Sequence, residues 1–163
     1  MPEALPILQW LAASPVAAAV RSSTWLYPVL ETLHMIGLGL VFGGIFAMDL
    51  RLLGLHRELQ VRRLSDHLLP WVWTGFAVNL SSGLLLFLSD AVAFAANPAF
   101  QAKMALLVLV GLNAAWFQRR IYADVGEWDS GAPPPSSARA AAVLSLALWT
   151  AIIAAGRMIA YWE

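Results

Sequence analysis

Residues 25–50 read WLYPVLETLHMIGLGLVFGGIFAMDL, and this stretch decides the fold class. No Asp, Glu, Lys or Arg occurs between Glu31 and Asp49. A helix that crosses the hydrocarbon core of a bilayer, about 30 Å thick, needs roughly 20 mostly apolar residues. Backbone polar groups in lipid must be satisfied internally, so such a segment forms a helix rather than an open strand. The stretch therefore predicts a transmembrane helix.

Three further stretches have the same apolar character, and they cover residues 68–89, 100–118 and 140–161. The shorter stretch 5–20 is broken by Pro15 and carries Trp10, which is typical of a helix that lies in the membrane interface. We expect residues 1–163 to form one all-α membrane domain. Its predicted fold is an integral membrane four-helix bundle with an N-terminal interfacial helix.

The composition of the whole chain favours a membrane protein whose main partner is the lipid bilayer. Of the 163 residues, 60% are hydrophobic and 12% are charged, whereas soluble domains are nearer half apolar and a quarter charged. Ten basic and ten acidic residues cancel, so no net charge attracts nucleic acid. The absence of Cys excludes disulfides, thiolate metal sites and iron–sulfur clusters.

The basic residues predict the orientation of the bundle. Most of them lie in the loops that follow the first and third spans: Arg51, Arg57, Arg62, Arg63, Arg119, Arg120 and Arg139. Because cytoplasmic loops carry an excess of Lys and Arg, these loops are predicted to be cytoplasmic and both termini to lie outside. The stretch 126–137 contains three consecutive prolines, which predict a flexible cytoplasmic linker.

Glycines are concentrated on the first two spans. The first span contains Gly37, Gly39, Gly43 and Gly44. On the second, Gly75, Asn79 and Gly83 recur every four residues and so share one face. Small residues allow helices to approach closely, and they also leave room for a flat cofactor. The glycine pattern does not separate these two interpretations.

Ionisable side chains at membrane depth are the strongest candidates for function. At a helical rise of 1.5 Å per residue, Glu31, His34, Lys103 and Arg157 all fall in the outer leaflet. Glu31 and His34 are three residues apart and point the same way. We predict a cofactor-binding site formed by these four residues, with His34 as metal ligand or proton carrier. In the alternative, Lys103 and Arg157 extend to the headgroups and Glu31 pairs with one of them.

The other two histidines are expected at the opposite side of the membrane. His56 follows His34 by 22 residues, or roughly 33 Å of continuous helix, so it cannot bind the same iron. We expect His56 and His67, with Asp49 and Arg51 near them, to be solvated. A Glu-x-x-His pair that occurs once does not make a di-iron site, which needs the motif on two helices. The sequence assigns no catalytic residue.

Two of the spans resemble a known family. His34, the step Phe42-Gly43-Gly44, Arg51 and His56 resemble the first helix of the HemJ-type protoporphyrinogen oxidases. Lys103, with Pro98 before it and an apolar run after it, resembles that family's third helix. The CopD-type copper proteins share this four-helix layout. The stretch 31–55 is also similar to an uncharacterised bacterial membrane family, which implies the bacterial inner membrane as location.

The HemJ-type resemblance implies that His34 and Lys103 bind b-type haem (haem b). It implies membrane redox chemistry with a quinone or a porphyrin as small-molecule partner. In this interpretation the haem lies between the first and third spans, with Lys103 as second ligand. Arg157 or Arg21 would then neutralise the haem propionates near the outer surface.

Two other functions also agree with the sequence. In CopD-like metal handling, thioethers would bind Cu(I), although the methionines Met35, Met48, Met104 and Met158 are scattered. Alternatively, the chain is a non-catalytic subunit of a larger membrane complex, or a homo-oligomer. The alanine-rich faces of the fourth span suit such helix association.

Overall fold

The computed structural model describes residues 5–129 and 131–162. This part of the chain is helical and contains no strand. Its α-helices are α1 (Leu5–Ala12), α2 (Pro15–Ser22), α3 (Leu26–Leu52), α4 (Val61–Ser89), α5 (Ala91–Ala96), α6 (Pro98–Trp116) and α7 (Ser136–Met158). A π-helical turn, Phe117–Ile121, and a 3₁₀ helix, Tyr122–Glu127, continue α6. The predicted all-α fold class is confirmed.

The helices α3, α4 and α7 and the extended α6 are long and apolar enough to cross a membrane. With 27 residues, α3 is about 40 Å long and exceeds the hydrocarbon thickness of about 30 Å. The predicted four-helix membrane bundle is therefore confirmed. We call its end at residues 22–26, 89–98 and 159–162 the terminal face, and its end at residues 52–61 and 116–136 the loop face.

The long helices extend beyond the predicted spans at the loop face. Helix α4 begins at Val61 and α7 at Ser136, several residues before the apolar runs that begin at 68 and 140. The added turn of α4 contains the exposed Arg62 and Arg63. Apolar runs mark only the part of a helix that suits hydrocarbon, whereas backbone hydrogen bonding continues into the polar headgroup region.

The N-terminal segment forms two short helices rather than one. The Ser14 hydroxyl accepts a hydrogen bond from the Ala17 amide at 3.2 Å, and Pro15 occupies the first turn of α2. A serine cap followed by proline starts a helix, so Pro15 begins α2 instead of merely ending α1. Large apolar side chains of α1 stay exposed, including Trp10 at 73%. This exposure suits a position in the membrane interface.

Helices α3 and α4 cross at a pair of glycines. A Cβ atom on Gly37 would lie 2.8 Å from the carbonyl oxygen of Gly75 and 2.8 Å from the amide of Asn79. A Cβ on Gly75 would lie 2.8 Å from the Gly37 carbonyl oxygen. These backbones meet at a distance that only glycine permits. Around Gly39 and Gly43, by contrast, a Cβ would meet nothing within 4 Å.

The connection before α7 packs into a core at the loop face. Val125 is fully buried and Trp128 is 7% exposed, and both join a cluster with Leu52 and Ile121. Pro134 is also buried. The prediction of a flexible linker over 126–137 is therefore wrong for Trp128 and Pro134, because both are buried. Trp128 supplies apolar surface that covers the ends of the long helices.

Arg51 closes the loop face from within. Its guanidinium is 2% exposed and donates to three backbone carbonyls: Leu59 at 2.7 Å, Arg57 at 3.3 Å and Asp129 at 3.0 Å. One side chain thus joins the α3–α4 loop to the segment before α7. The expectation of a solvated Arg51 is wrong, and so is that for Asp49, which is 5% exposed. His56 and His67 are exposed, as expected.

The glycine crossing predicts opposite effects for two alanine substitutions on one helix. Gly37→Ala should lower the free energy of unfolding by about 1–3 kcal/mol, because the methyl group overpacks the α3–α4 contact. Gly39→Ala, at an open position, should raise it by up to about 1 kcal/mol through helix propensity. Thermal unfolding of the purified variants in detergent measures both effects. Equal destabilisation by the two variants would contradict the close crossing.

The buried guanidinium predicts a local opening at the loop face. Arg51→Met removes the guanidinium from three carbonyls, of which Arg57 and Asp129 still accept from the Gly131 and Val61 amides. Hydrogen bonds to charged groups contribute about 1.5–3 kcal/mol each. We expect faster proteolysis within residues 53–60 and a lower unfolding temperature. Arg63→Met, at an exposed position on α4, is the matched control and should behave as the unmodified protein. An Arg51 variant that resists protease equally well would rule out this role.

Candidate functional site

A cavity of about 670 Å³ opens at the terminal face, within the size range of ligand pockets. The helices α2 to α7 all contribute to its wall. Its polar and charged lining residues are Arg21, Tyr27, Glu31, His34, Ser89, Asp90, Asn97, Lys103 and Arg157. Glycines and phenylalanines form much of the remaining wall. The cavity therefore combines apolar surface with a small number of convergent polar groups, the usual composition of a ligand site.

All four residues of the predicted site line this cavity. Glu31 and His34 reach it from consecutive turns of α3, Lys103 from the first half of α6, and Arg157 from the end of α7. His34 and Lys103 are half-buried, whereas Glu31 and Arg157 are exposed. The depth argument from helical rise therefore brought together residues that are up to 126 positions apart (157 minus 31).

The ring of His34 is held in one orientation by α4. Its Nδ1 lies 3.0 Å from the carbonyl oxygen of Asn79 and 3.3 Å from the Ser82 hydroxyl. A carbonyl only accepts, so the short contact requires a proton on Nδ1. This tautomer leaves the lone pair on Nε2, where the described residues supply no hydrogen-bond partner. Nε2 is thereby prepared to bind a metal ion or accept a proton.

Two further contacts fix the backbone and ring of His34. The Asn79 side-chain amide donates to the His34 carbonyl at 2.8 Å, so the two residues bond to each other twice. A Cβ on Gly83 would lie 2.8 Å from Cε1 of His34, so the ring rests directly on the α4 backbone. Gly75, Asn79 and Gly83 share one face of α4. Gly75 allows the close packing of α3, whereas Asn79 and Gly83 contact His34.

Basic residues at the cavity outnumber acidic ones. Arg21, Lys103 and Arg157 stand against Glu31 and Asp90. The described residues contain no ion pair of Glu31 with Lys103 or Arg157, as the alternative interpretation would require. Arginine and lysine grouped in this way favour an anionic or carboxylate-bearing ligand.

The two arginines are positioned by polar contacts at the rim. Arg21 donates to the Ser89 carbonyl at 2.7 Å. Arg157 donates to the Tyr161 hydroxyl at 3.0 Å and lies 5.3 Å from the centroid of that ring. Each guanidinium keeps further donors for a ligand, because these contacts use only part of its hydrogen-bonding capacity.

An aromatic cluster that sequence reasoning missed forms one side of the cavity. Phe87 and Phe100 stack with ring centroids 5.4 Å apart, and Phe94 lies 5.8 Å from Phe100. These residues come from α4, α5 and α6. Phenylalanines are common in apolar helices, so only their convergence at the terminal face distinguishes them from lipid-facing side chains.

Asn97 lies in the cavity wall between the start of α6 and the segment that follows α7. Its side-chain oxygen accepts from the amides of Ala99 and Phe100 and so caps α6. Its side-chain nitrogen donates to the carbonyls of Ile159 at 3.1 Å and Trp162 at 3.0 Å. One side chain therefore joins the start of α6 to the segment that follows α7.

The model of one protein family matches residues 8–162, and its description is a family of unknown function, DUF6644. The chain belongs to the DUF6644 family. No curated protein and no solved structure matches this DUF6644 chain. The family description assigns no activity, so the resemblance to HemJ-type and CopD-type proteins stays a prediction.

A bare metal ion and a metal-containing cofactor would need different numbers of ligands from this DUF6644 chain. No group of three or more His, Asp or Glu side chains that could hold a metal ion occurs in the described residues. A bare ion at His34 would need such additional ligands, whereas haem iron already has four porphyrin nitrogens and needs only axial ligands. The four methionines considered for Cu(I) line no part of the cavity.

The tautomer of His34 can be measured directly. We expect ¹⁵N NMR of histidine-labelled protein at neutral pH to show one ring with protonated Nδ1 and unprotonated Nε2, assigned by its loss in His34→Gln. Gly83→Ala should alter that signal, because the methyl group displaces the ring. Gly156→Ala is the control, since its Cβ would meet Lys103 at an ordinary 3.8 Å. A protonated Nε2 in the unmodified protein would refute the assignment.

Proposed function

We propose that this DUF6644 protein binds b-type haem through His34 and acts in membrane redox chemistry. The observation that carries the proposal is the Nδ1 contact of His34 with the Asn79 carbonyl at 3.0 Å. Histidines that bind metals characteristically donate their second ring nitrogen to a carbonyl or carboxylate, which orients the ring and raises its basicity. The same contact leaves Nε2 as the nitrogen that is available to a ligand.

The cavity residues suit a large, flat group that carries carboxylates. The volume of about 670 Å³ lies within the usual range for ligand pockets. Glycines at 83 and 156 line it without side chains, and the phenylalanine cluster offers an apolar wall. Arg21 and Arg157 at the rim provide charge-assisted hydrogen bonds for propionates.

Each residue has a defined part in the proposal. Haem iron supplies one-electron chemistry when bound. His34 would hold the iron through its Nε2, while Asn79 keeps the ring in one orientation. Lys103 is the candidate second ligand; as an alternative role, its positive charge favours a bound anionic group. Glu31, one turn from His34, is placed to exchange protons with water at the terminal face.

We also propose an orientation in the membrane and a class of small-molecule partner. The basic residues of the loop face favour a cytoplasmic location for that face. Both termini and the cavity then lie outside, in the bacterial inner membrane. A quinone or porphyrin would reach the cavity at the level of the outer leaflet, which is consistent with its position at the terminal face.

Visible spectroscopy tests the proposal. Protein purified gently from cells with ample haem should show a Soret band that sharpens on reduction with dithionite. His34→Ala should lose the band because the axial ligand is missing, whereas His67→Ala, exposed on the loop-face part of α4, should keep it. Added hemin should titrate the unmodified apoprotein to saturation but not His34→Ala.

Two outcomes would overturn the haem proposal. One is a featureless spectrum of the unmodified protein, with no change on added hemin. The other is an unchanged band in His34→Ala. The first outcome, together with co-purification of other membrane proteins, would favour the role of a non-catalytic subunit. Metal analysis of the same preparation distinguishes the haem protein and the non-catalytic subunit from a CopD-like protein, which would contain bound copper.

A further inference from the structure

Three buried polar atoms of α3, α6 and α7 have no hydrogen-bond partner within the described residues. They are Oδ2 of Asp49, Oδ1 of Asn113 and Nε1 of Trp149. These side chains are 5%, 8% and 7% exposed, respectively. A fourth such atom, Nη1, belongs to the Arg51 guanidinium at the loop face. Buried polar groups in native proteins almost always have a partner, so this group of residues points to a ligand that the protein atoms do not supply.

Helix α7 brings these residues to neighbouring turns. The Asn113 amide donates to the Ala141 carbonyl at 3.0 Å, which is also the helical acceptor for the Ser145 amide. The Ser145 hydroxyl lies beside the Asp49 carboxyl. Trp149 follows Ser145 by one turn, on the same face of α7. Asp49 and Asn113 thus approach neighbouring turns of α7, and Trp149 stands one turn further along the same face.

No basic side chain compensates Asp49. It forms no ion pair within the described residues. Arg51 is two positions away, so it projects to a different side of α3, where loop carbonyls hold it. The side chain that lies beside Asp49 on α7 is Ser145, and Asn113 and Trp149 are placed about one turn to either side of Ser145. None of these ionises at physiological pH.

We propose that Asp49 is a proton-binding site and that a buried water connects it with Asn113 and Trp149. A neutral carboxylic acid avoids the large cost of an isolated charge in a buried site. The protonated Oδ2 of Asp49 donates to this water, which also accepts from the indole N–H of Trp149 and donates to Oδ1 of Asn113. A metal cation fits less well, because the positive end of the indole N–H dipole would point toward it.

The position of Asp49 determines which side of the bundle exchanges the proton. Asp49 lies three residues before the end of α3 at Leu52, or roughly 4.5 Å along the helix. His34 is 15 residues away on the same helix, or roughly 22 Å. The proton-binding site is therefore separate from the terminal cavity and exchanges with water at the loop face.

Infrared spectroscopy tests this site without reference to haem. At neutral pH the folded protein should show a carboxylic-acid C=O band that is absent from Asp49→Asn and shifts in D₂O. Asp90→Asn, at an exposed position of the terminal face, should retain the band. In the unmodified protein the band should disappear at alkaline pH as Asp49 releases its proton. Trp149→Phe and Asn113→Leu should shift its frequency, because each removes one contact of the water.

Isotope labelling keeps the test decisive if Asp49→Asn does not fold. Protein labelled with ¹³C at the aspartate carboxyl should shift the same band, which identifies an aspartic acid without any substitution. The absence of a protonated aspartate band in folded, labelled protein would overturn the proton site. A band that neither Trp149→Phe nor Asn113→Leu shifts would overturn the bound water.

Discussion

The close approach of α3 and α4 at Gly37 and Gly75 is the constraint on which the rest of the structure depends. The two backbones touch there, and the helices run antiparallel. The contact point therefore determines which residue of α3 lies opposite which residue of α4 one turn closer to the terminal face. On α3 this residue is His34, and on α4 it is Asn79. Their reciprocal hydrogen bonds therefore follow from the glycine crossing. The glycine interpretations that the sequence left open both apply, at different positions: packing at 37 and 75, and space beside His34 at Gly83.

Properties that depend on local sequence could be predicted well. The length of an apolar run and the rise of a helix are sufficient to predict four spans and the depth of each ionisable residue. For this reason the shared end of Glu31, His34, Lys103 and Arg157 followed from the sequence, and all four line one cavity. Rotation of each helix about its axis does not follow from length or depth. The phenylalanine cluster and the rim contacts of Arg21 therefore emerged only from the structure.

Features that depend on distant parts of the chain could not be predicted. The carbonyl of Asp129 that binds Arg51 is 78 positions away, and no local pattern marks it as a partner. Similarly, the π-helical turn Phe117–Ile121 adds a residue to one turn of the extended α6. The extra residue rotates the segment that follows. A regular 3.6-residue period continued past Phe117–Ile121 therefore does not predict which side of the helix Val125 faces. The three prolines indicated flexibility, but Pro134 is buried, which composition does not reveal.

The two amide hydrogen bonds of Asn97 have a consequence for the cavity wall. They hold the segment after α7 against the start of α6, yet each neutral hydrogen bond contributes only about 1 kcal/mol net. Breaking both costs about 2 kcal/mol, so by themselves they would leave residues 159–162 detached in roughly one molecule in thirty. Detachment of this segment would remove Ile159, Ala160 and Trp162 from the cavity wall, while the four long helices stay in place.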